Sequence, residues 1–128
     1  MKVVPDVSAR NRANKRRGAA WEIDFNKAMR EEGFDIERLR LAGKDDEGDQ
    51  VIREDDGLFT VIENKNAAAF TPGPFVDEME REVTNFARHR GIDVRRVDGV
   101  VVVKRRGKPW HQAYVLTTVA RHFGLDTE

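Results

Sequence analysis

A carboxylate and an amine follow directly on a run of apolar residues. Residues 58–66 read LFTVIENKN, so the apolar segment ends in Glu63, Asn64 and Lys65. Because side chains two residues apart on a strand share a face, Glu63 and Lys65 would lie side by side, with Asn64 on the other face. Such a pair can be a solvated ion pair worth about 0 to 1 kcal/mol, or it can take part in binding a metal ion and a phosphate group.

A second carboxylate, that of Asp49, can reach the first. Asp49 opens a segment that the acidic turn signal Glu54–Gly57 separates from the apolar strand, which is typical of a β-hairpin. With a three-residue turn, Asp55–Gly57, Asp49 would stand directly opposite Glu63 on the same face. A two-residue turn, Asp56-Gly57, would point Asp49 to the other face unless a bulge intervened.

Two apposed carboxylates repel each other and raise each other's pKa unless they share a cation. The chain has no cysteine, which excludes disulfides and thiolate metal sites. Oxygen ligands without a nearby histidine favour Mg²⁺ or Mn²⁺ over Zn²⁺. Such an ion can position and acidify a water, while Lys65 orients that water, helps its deprotonation or stabilises the negative charge that develops on a phosphate. The pattern therefore indicates hydrolysis of phosphodiesters.

The elements that must position these residues alternate between helices and strands. Strand 58–65 is apolar on both faces, which favours a central place in a sheet. The predicted elements are a helix over 11–32, a strand over 36–41, the hairpin strands 49–53 and 58–65, a helix over 75–89, strands over 100–103 and 113–117, and a short terminal helix. We predict one α/β domain, residues 11–128, with a central mixed sheet and a helix on each side, after a loose basic arm of residues 1–10.

Charge is balanced in total but not in its distribution. Lys and Arg number 23, as do Asp and Glu, yet residues 8–17 carry five basic side chains and no acid, and residues 45–57 carry seven acids and one Arg. A second basic run follows strand 100–103. Either run could simply solubilise the protein, but phosphate contact is the preferred interpretation for both clusters. The expected DNA-binding residues are Lys15, Arg16, Arg17, Lys104, Arg105, Arg106 and Lys108.

The order of these motifs resembles the PD-(D/E)XK nuclease superfamily, and more narrowly its phage and archaeal Holliday junction resolvase-like members. Gly48-Asp49 is followed by Glu63-Asn64-Lys65 and preceded by a helix that carries Glu22 in the segment RRGAAWE. In those proteins a basic residue and a glycine precede the helical glutamate, as Arg17-Gly18 does here. The resemblance covers about residues 15–119. It implies a restriction-endonuclease-like fold with an α-β-β-β-α-β core.

The resemblance also implies roles for single residues. Asp49 and Glu63 would be metal ligands, together with the backbone carbonyl of Asn64, and Lys65 would be the catalytic lysine. Glu22 would reach the site from the first helix and bind Mg²⁺ or Mn²⁺ directly or through water. The chain departs from the superfamily at one point, because Gly-Asp stands where the superfamily has Pro-Asp.

The implied activity is that of a magnesium-dependent endodeoxyribonuclease on branched DNA, foremost a Holliday junction resolvase that works in DNA recombination as a homodimer. A flap, nicking or restriction-type endonuclease of the same fold is the first alternative. A catalytically inactive DNA-binding or assembly protein is the second. No segment has the apolar length of a membrane helix or a signal peptide, so we expect a cytoplasmic protein, in the host-cell cytoplasm if it is phage-encoded.

Two further groups of residues are left open by the sequence. The acids of the second predicted helix could face the site, with a weaker claim than Glu22; they are Asp77, Glu78, Glu80 and Glu82. Trp110 could stack on an exposed base or mark an interface.

Overall fold

A mixed sheet lies at the centre of the computed structural model, which describes residues 7–39 and 46–127, with the side chains of residues 16–39 and 46–127. Its five strands are β1 (Ile36–Arg38), β2 (Gln50–Arg53), β3 (Phe59–Lys65), β4 (Val97–Val103) and β5 (Tyr114–Leu116). They lie side by side in chain order. The β3 and β4 strands are parallel, and the other neighbouring pairs are antiparallel. β3 is therefore the central strand, as its apolar character on both faces predicts.

The hairpin between β2 and β3 has the three-residue turn. Asp55–Gly57 form one turn of 3₁₀-helix, and the Glu54 N–H donates to the Leu58 carbonyl at 2.9 Å. In the resulting register Gln50 pairs with Ile62. The ladder ends at this pair, and Asp49 leaves the regular register, because its N–H donates to the Ile62 carbonyl as in a β-bulge. The predicted three-residue turn is therefore confirmed, whereas a direct backbone pairing of Asp49 with Glu63 is not.

One helix covers each face of the sheet. The helices are α1 (Val7–Glu31), α2 (Pro72–Arg90) and the short α3 (Val119–Phe123). Trp21 and Phe25 of α1 pack on β-strand residues such as Ile62 and Val102, whereas Met79 and Phe86 of α2 belong to the core on the opposite face. Among the described residues, no helix combines the length and the apolar composition needed to cross a membrane. The predicted layers and the order α1, β1, β2, β3, α2, β4 are confirmed.

Several boundaries differ from the prediction. Residues 7–10, predicted as part of a loose arm, belong to α1, because neither glycine nor proline interrupts the chain between Val7 and Gly18. Residues 1–6 lie outside the described residues, as do residues 40–45, which include the predicted end of the first strand. The α2 helix starts at Pro72 rather than Phe75, because proline is tolerated in the first turn of a helix. The β4 strand begins at Val97, three residues before the β-branched run.

Candidate functional site

Asp49 and Glu63 meet at the edge of the sheet where β3 ends and β2 begins. Both side chains are buried, with 7% and 5% of their surface exposed. The Asn64 N–H donates to Asp49 Oδ2 at 2.7 Å, and the Asp49 N–H donates to the Ile62 carbonyl at 3.0 Å, so Asp49 is held against β3 from two sides. The two carboxyl groups are within hydrogen-bonding reach of each other. The structure thus brings together the two carboxylates that the hairpin register predicts.

Gly48 is needed to bring Asp49 to this position. Its φ of +100° lies in the region that side chains disfavour. A Cβ added there would lie 2.7 Å from Val61 Cγ1 and 2.9 Å from Glu82 Oε2, so the backbone passes too close to β3 and α2 for any side chain. Proline, whose ring fixes φ near about −65°, cannot adopt this conformation. The Gly-Asp sequence in place of Pro-Asp therefore has a local conformational cause.

Lys65 lies on the same face as Glu63, at the end of β3. Its Nζ is 2.6 Å from Glu78 Oε2 and 3.9 Å from Glu63 Oε1, and it lies 5.3 Å from the centre of the Phe75 ring. Burial alone would lower the pKa of Lys65, but the hydrogen bond to Glu78 and the charges of Glu63 and Asp49 raise it above its ordinary value. Lys65 is therefore an ammonium in this arrangement. It can donate hydrogen bonds and stabilise negative charge, but it cannot accept a proton.

Glu22 reaches the same sheet edge from α1, as predicted. Burial, followed by the charge of Asp49, raises the pKa of Glu22 to about 7, although Arg38 Nη2 donates to Glu22 Oε2 at 3.3 Å. Gln50 Nε2 donates to the Glu22 backbone carbonyl at 3.1 Å and ties this turn of the helix to β2. Glu22 therefore brings a further carboxyl group from α1 close to Asp49.

Two acids of α2 complete the site, although the sequence gives them a weaker claim than Glu22. Glu63, Glu78 and Glu82 each offer one carboxylate oxygen within 4.8 Å of the others. Glu82 is only 2% exposed. Glu78 and Glu82 lie four residues apart, next to the apolar stripe of α2 that includes Met79. An acid at this spacing beside a buried stripe is the signal that would have identified them.

The carboxyl groups of this site are crowded and poorly solvated. Burial is the first cause of the raised pKa values, and the neighbouring carboxyl groups add to it: the pKa is raised to about 8 for Asp49, about 9 for Glu63 and about 7 for Glu82. Among the described side chains, Glu63 Oε2 and both carboxylate oxygens of Glu82 are buried without a hydrogen-bond partner. Two ionised carboxylates cannot hydrogen-bond to each other. A shared proton, a buried water or a cation between them would satisfy these atoms, and an all-oxygen donor set suits Mg²⁺ or Mn²⁺.

Asn64 lies on the opposite face, as predicted, in a buried polar link between the sheet and α1. Gln50 Nε2 donates to Asn64 Oδ1 at 2.7 Å, and Asn26 Nδ2 donates to Gln50 Oε1 at 2.9 Å. Gln50 is fully buried, although no motif in the sequence singles it out. The role of the Asn64 backbone carbonyl as a metal ligand stays a prediction.

The two basic clusters lie beside this sheet edge. Lys104 follows β4, and its N–H donates to the Lys65 carbonyl at 2.8 Å while its Nζ lies 5.9 Å from the centre of the Trp21 ring. Asn66 Nδ2 donates to the Arg17 carbonyl at 3.5 Å, which places α1 at the same edge. The side chains of Arg16, Arg17, Arg106 and Lys108 are exposed, and those of Lys104 and Arg105 are partly buried. The Lys15 side chain lies outside the described side chains.

Trp110 is partly buried and packs on the edge of the core. Its ring contacts Phe25 at 6.2 Å between ring centres, and it packs against the cluster on the α1 face. Part of the ring stays accessible, so base stacking and an interface both stay open for Trp110.

Comparison with models of known protein families and with curated proteins gives no match for this sequence. The function must therefore be inferred from the site. At one sheet edge the site combines two facing carboxylates from the hairpin, further acids from both helices and one ammonium group.

Proposed function

We propose that the protein is a magnesium-dependent endonuclease that hydrolyses phosphodiesters in branched DNA, with four-way junctions as its foremost substrate. The observation that carries the proposal is the buried pair Asp49 and Glu63, with an unpartnered Glu63 oxygen, beside the ammonium group of Lys65. A buried carboxylate cluster is unfavourable by itself, because burial penalises the charged form. A divalent cation that binds the cluster, together with a phosphate that it attracts, removes that penalty.

The chain offers more ligands than one ion needs. Asp49 and Glu63 would hold the metal, with Glu22 approaching from α1, Glu82 from α2 and the Asn64 carbonyl from the strand. The bound ion would activate a water for attack on phosphorus and offset the charge of the phosphate. Magnesium keeps several waters in its coordination shell, so only some of these protein groups need to bind it directly.

Lys65 is suited to stabilise charge at the phosphate. Because its pKa is raised, it stays protonated and can donate to a phosphate oxygen as negative charge increases there. Glu78 accepts a hydrogen bond from the Lys65 ammonium and limits where that group can lie. Lys65 is thus suited to act as an electrostatic group of the site.

The surroundings of the site favour a DNA substrate and the predicted fold class. The basic residues of α1 and of the segment after β4 lie on the same edge as Lys65, where they can bind the phosphates that flank the scissile one. The α-β-β-β-α-β order is compatible with a restriction-endonuclease-like fold and supports the superfamily assignment. A resolvase must nick two strands symmetrically, which favours a twofold homodimer with one site for each strand.

The reaction is tested by cleavage of a labelled four-way junction with Mg²⁺ or with EDTA. We expect Mg²⁺-dependent cleavage by the unmodified protein and its loss, by at least about a hundredfold, in Glu63→Gln and Asp49→Asn, because each removes a ligand. Glu31→Gln, at an exposed position at the end of α1, is the control and should cleave normally. Cleavage at an unchanged rate in Glu63→Gln would end the assignment of the site.

The substrate is tested by comparing a four-way junction, a flap and a linear duplex of the same sequence. Preference for the junction supports the resolvase assignment. Preference for the flap, or equal cleavage of all three, favours a flap, nicking or restriction-type endonuclease. Junction binding without cleavage of any substrate in Mg²⁺ or Mn²⁺ favours an inactive DNA-binding protein, although the complete set of Glu22, Asp49, Glu63 and Lys65 argues against such decay.

A further inference from the structure

A groove of about 680 Å³ opens beside the candidate site, where β4 ends and β5 begins. Four basic residues line it, Lys104, Arg105, Arg106 and Lys108, and no described carboxylate does. The groove therefore presents concentrated positive charge in a protein whose net charge is zero. Its charge complements a polyanion.

Two exposed aromatic rings line the same groove. Phe70 is 54% exposed and Tyr114 is 50% exposed, and their ring centres lie 6.0 Å apart at an interplanar angle of 58°. Phe70 also contacts Phe75 at 6.2 Å, and the Arg105 guanidinium lies 4.9 Å from the Tyr114 ring centre. Both rings are thus supported on one side while part of their surface faces the groove. Aromatic rings beside basic side chains are the combination that binds single-stranded nucleic acid.

The groove is continuous with the candidate active site through the sheet. Lys65 pairs with Val103 in the register of β3 and β4, and Val103 pairs with Tyr114 in the register of β4 and β5. Neighbouring strands lie about 4.8 Å apart, so the Tyr114 backbone is roughly 10 Å from that of Lys65. A nucleotide that adjoins a phosphate bound at Lys65 can reach the rings.

We infer that this groove binds an unstacked nucleotide next to the scissile phosphate, with the base against Phe70 and Tyr114 and the phosphates on the basic side chains. The inference rests on the proposed nuclease function and adds a substrate requirement to it. The preferred DNA has at least one nucleotide at the branch whose base has left the helical stack. Since every base has an aromatic face, the groove accepts any base.

Binding of short single strands tests the groove without cleavage. We would measure the affinity of an oligothymidylate in EDTA, and that of an abasic chain with the same number of phosphates. The oligothymidylate should bind about tenfold more tightly, because base–aromatic stacking is worth about 1 to 3 kcal/mol per base. The double variant Phe70→Ala/Tyr114→Ala should remove this difference while leaving the salt dependence unchanged, and Tyr114→Phe should preserve the difference.

Two matched variants separate stacking from other effects. Phe34→Ala removes a ring that is exposed to a similar degree, 48%, at the opposite end of α1, and should leave both affinities unchanged. Lys104→Ala should weaken both chains equally and reduce the salt slope by about 1, since it removes one phosphate contact. Photo-crosslinking from 5-iodouracil beside the branch of a junction should map to Phe70 or Tyr114.

The outcomes distinguish this inference from the proposed function. Equal affinities for the abasic chain and the oligothymidylate overturn the inference. The groove would then bind only phosphates, or it would bind an acidic peptide. An unchanged base effect in the double variant also overturns it. In either case Mg²⁺-dependent cleavage by the unmodified protein would leave the nuclease assignment intact. If cleavage is absent but the base effect is present and lost in the double variant, the nuclease assignment fails and the nucleotide groove stands.

Discussion

At the residue scale, the carboxyl groups of the site make the metal-free protein sensitive to pH. Four carboxyl groups, those of Glu22, Asp49, Glu63 and Glu82, have ordinary pKa values between 3.8 and 4.5. In the folded protein their pKa values are raised and lie between about 7 and about 9. The folded protein therefore binds more protons than the unfolded chain between these limits. Stability is fully present below the unfolded-state pKa values and is lost as the pH rises through the folded-state values.

The corresponding prediction concerns the free energy of unfolding in EDTA. It should fall by several kcal/mol from about pH 5 to about pH 9, since each unit of pKa difference corresponds to about 1.4 kcal/mol. Urea unfolding across this range measures the fall, and Glu82→Gln should reduce it because the amide does not ionise. Mg²⁺ should stabilise the protein more at the alkaline end, where the carboxylates are free of protons. A pH-independent unfolding midpoint in EDTA would contradict the assigned pKa shifts.

A second residue-scale prediction concerns Gly48. Gly48→Ala should lower the free energy of unfolding by about 2 to 4 kcal/mol, because a side chain at this positive φ is strained and its Cβ meets Val61 and Glu82. Gly18→Ala is the control: a Cβ at Gly18 meets nothing within 4 Å, and the change should stabilise α1 by about 0.5 to 1 kcal/mol. Urea unfolding of both variants makes the comparison. If both variants changed the free energy of unfolding equally, the backbone conformation at position 48 would not require glycine.

The residues of the site differ in how well the sequence predicts them. Asp49 and Glu63 follow from the alternation of side chains along strands once the length of one turn is known. Glu22 follows from the family resemblance. Glu82 cannot be predicted in either way, because its burial depends on how α2 packs on the sheet, and this packing is a tertiary property. The sequence shows only that an acid lies near the apolar stripe.

At the scale of elements, the position of α2 depends on its close approach to β4. A Cβ at Gly99 would lie 2.4 Å from Met79 Sδ and 2.6 Å from Val83 Cγ2, so the helix fits only because this position of the strand has no side chain. Glu78 and Glu82 lie on the same turns of α2 as Met79 and Val83. The packing of the helix and the placement of its two acids are therefore coupled.

Gly99→Ala should test this coupling. We expect a loss of stability of about 1 to 3 kcal/mol from overpacking, together with reduced Mg²⁺-dependent cleavage, because a displaced α2 moves Glu78 away from Lys65. Val83→Ala removes one of the groups with which the new Cβ clashes. The double variant Gly99→Ala/Val83→Ala should therefore lose less stability than the sum of the losses in the two single variants. Strictly additive losses, measured by urea unfolding, would show that the helix does not rest on Gly99.

The elements themselves were predicted well in order and less well in extent. Periodic apolar residues identify α1, α2 and β3, because burial imposes the period of each element. Boundaries depend on weaker local effects: Pro72 begins a helix where the sequence suggests a break, and Gly99 lies inside β4 although glycine is uncommon in strands. The face of the sheet that each helix covers follows from the alternation of side chains along the strands, because each helix packs on the side chains that point toward it.

At the scale of the whole molecule, a balanced net charge conceals an acidic centre with basic flanks. The carboxyl groups of both helices and the hairpin meet at one sheet edge, and the segments around Arg17 and Lys104 lie beside it. On the proposed function, the basic segments would attract DNA, while the ionised centre would repel the phosphate that has to enter it. A divalent cation bound there would change the sign of the charge at the centre, so the proposed function implies that metal binding is coupled to DNA binding.

This coupling predicts how neutral variants bind a four-way junction without metal. Glu63→Gln and Asp49→Asn should bind the junction several-fold more tightly than the unmodified protein in EDTA at about pH 9, where the repelling carboxylates are ionised, and about equally at pH 6, where protons already neutralise them. Fluorescence anisotropy at fixed salt measures both affinities. Glu31→Gln, which removes the same charge far from the sheet edge, should not show the pH-dependent gain. Weaker binding of Glu63→Gln at alkaline pH would mean that DNA phosphates do not enter the carboxylate cluster, and the site would have to be separated from the DNA-binding surface.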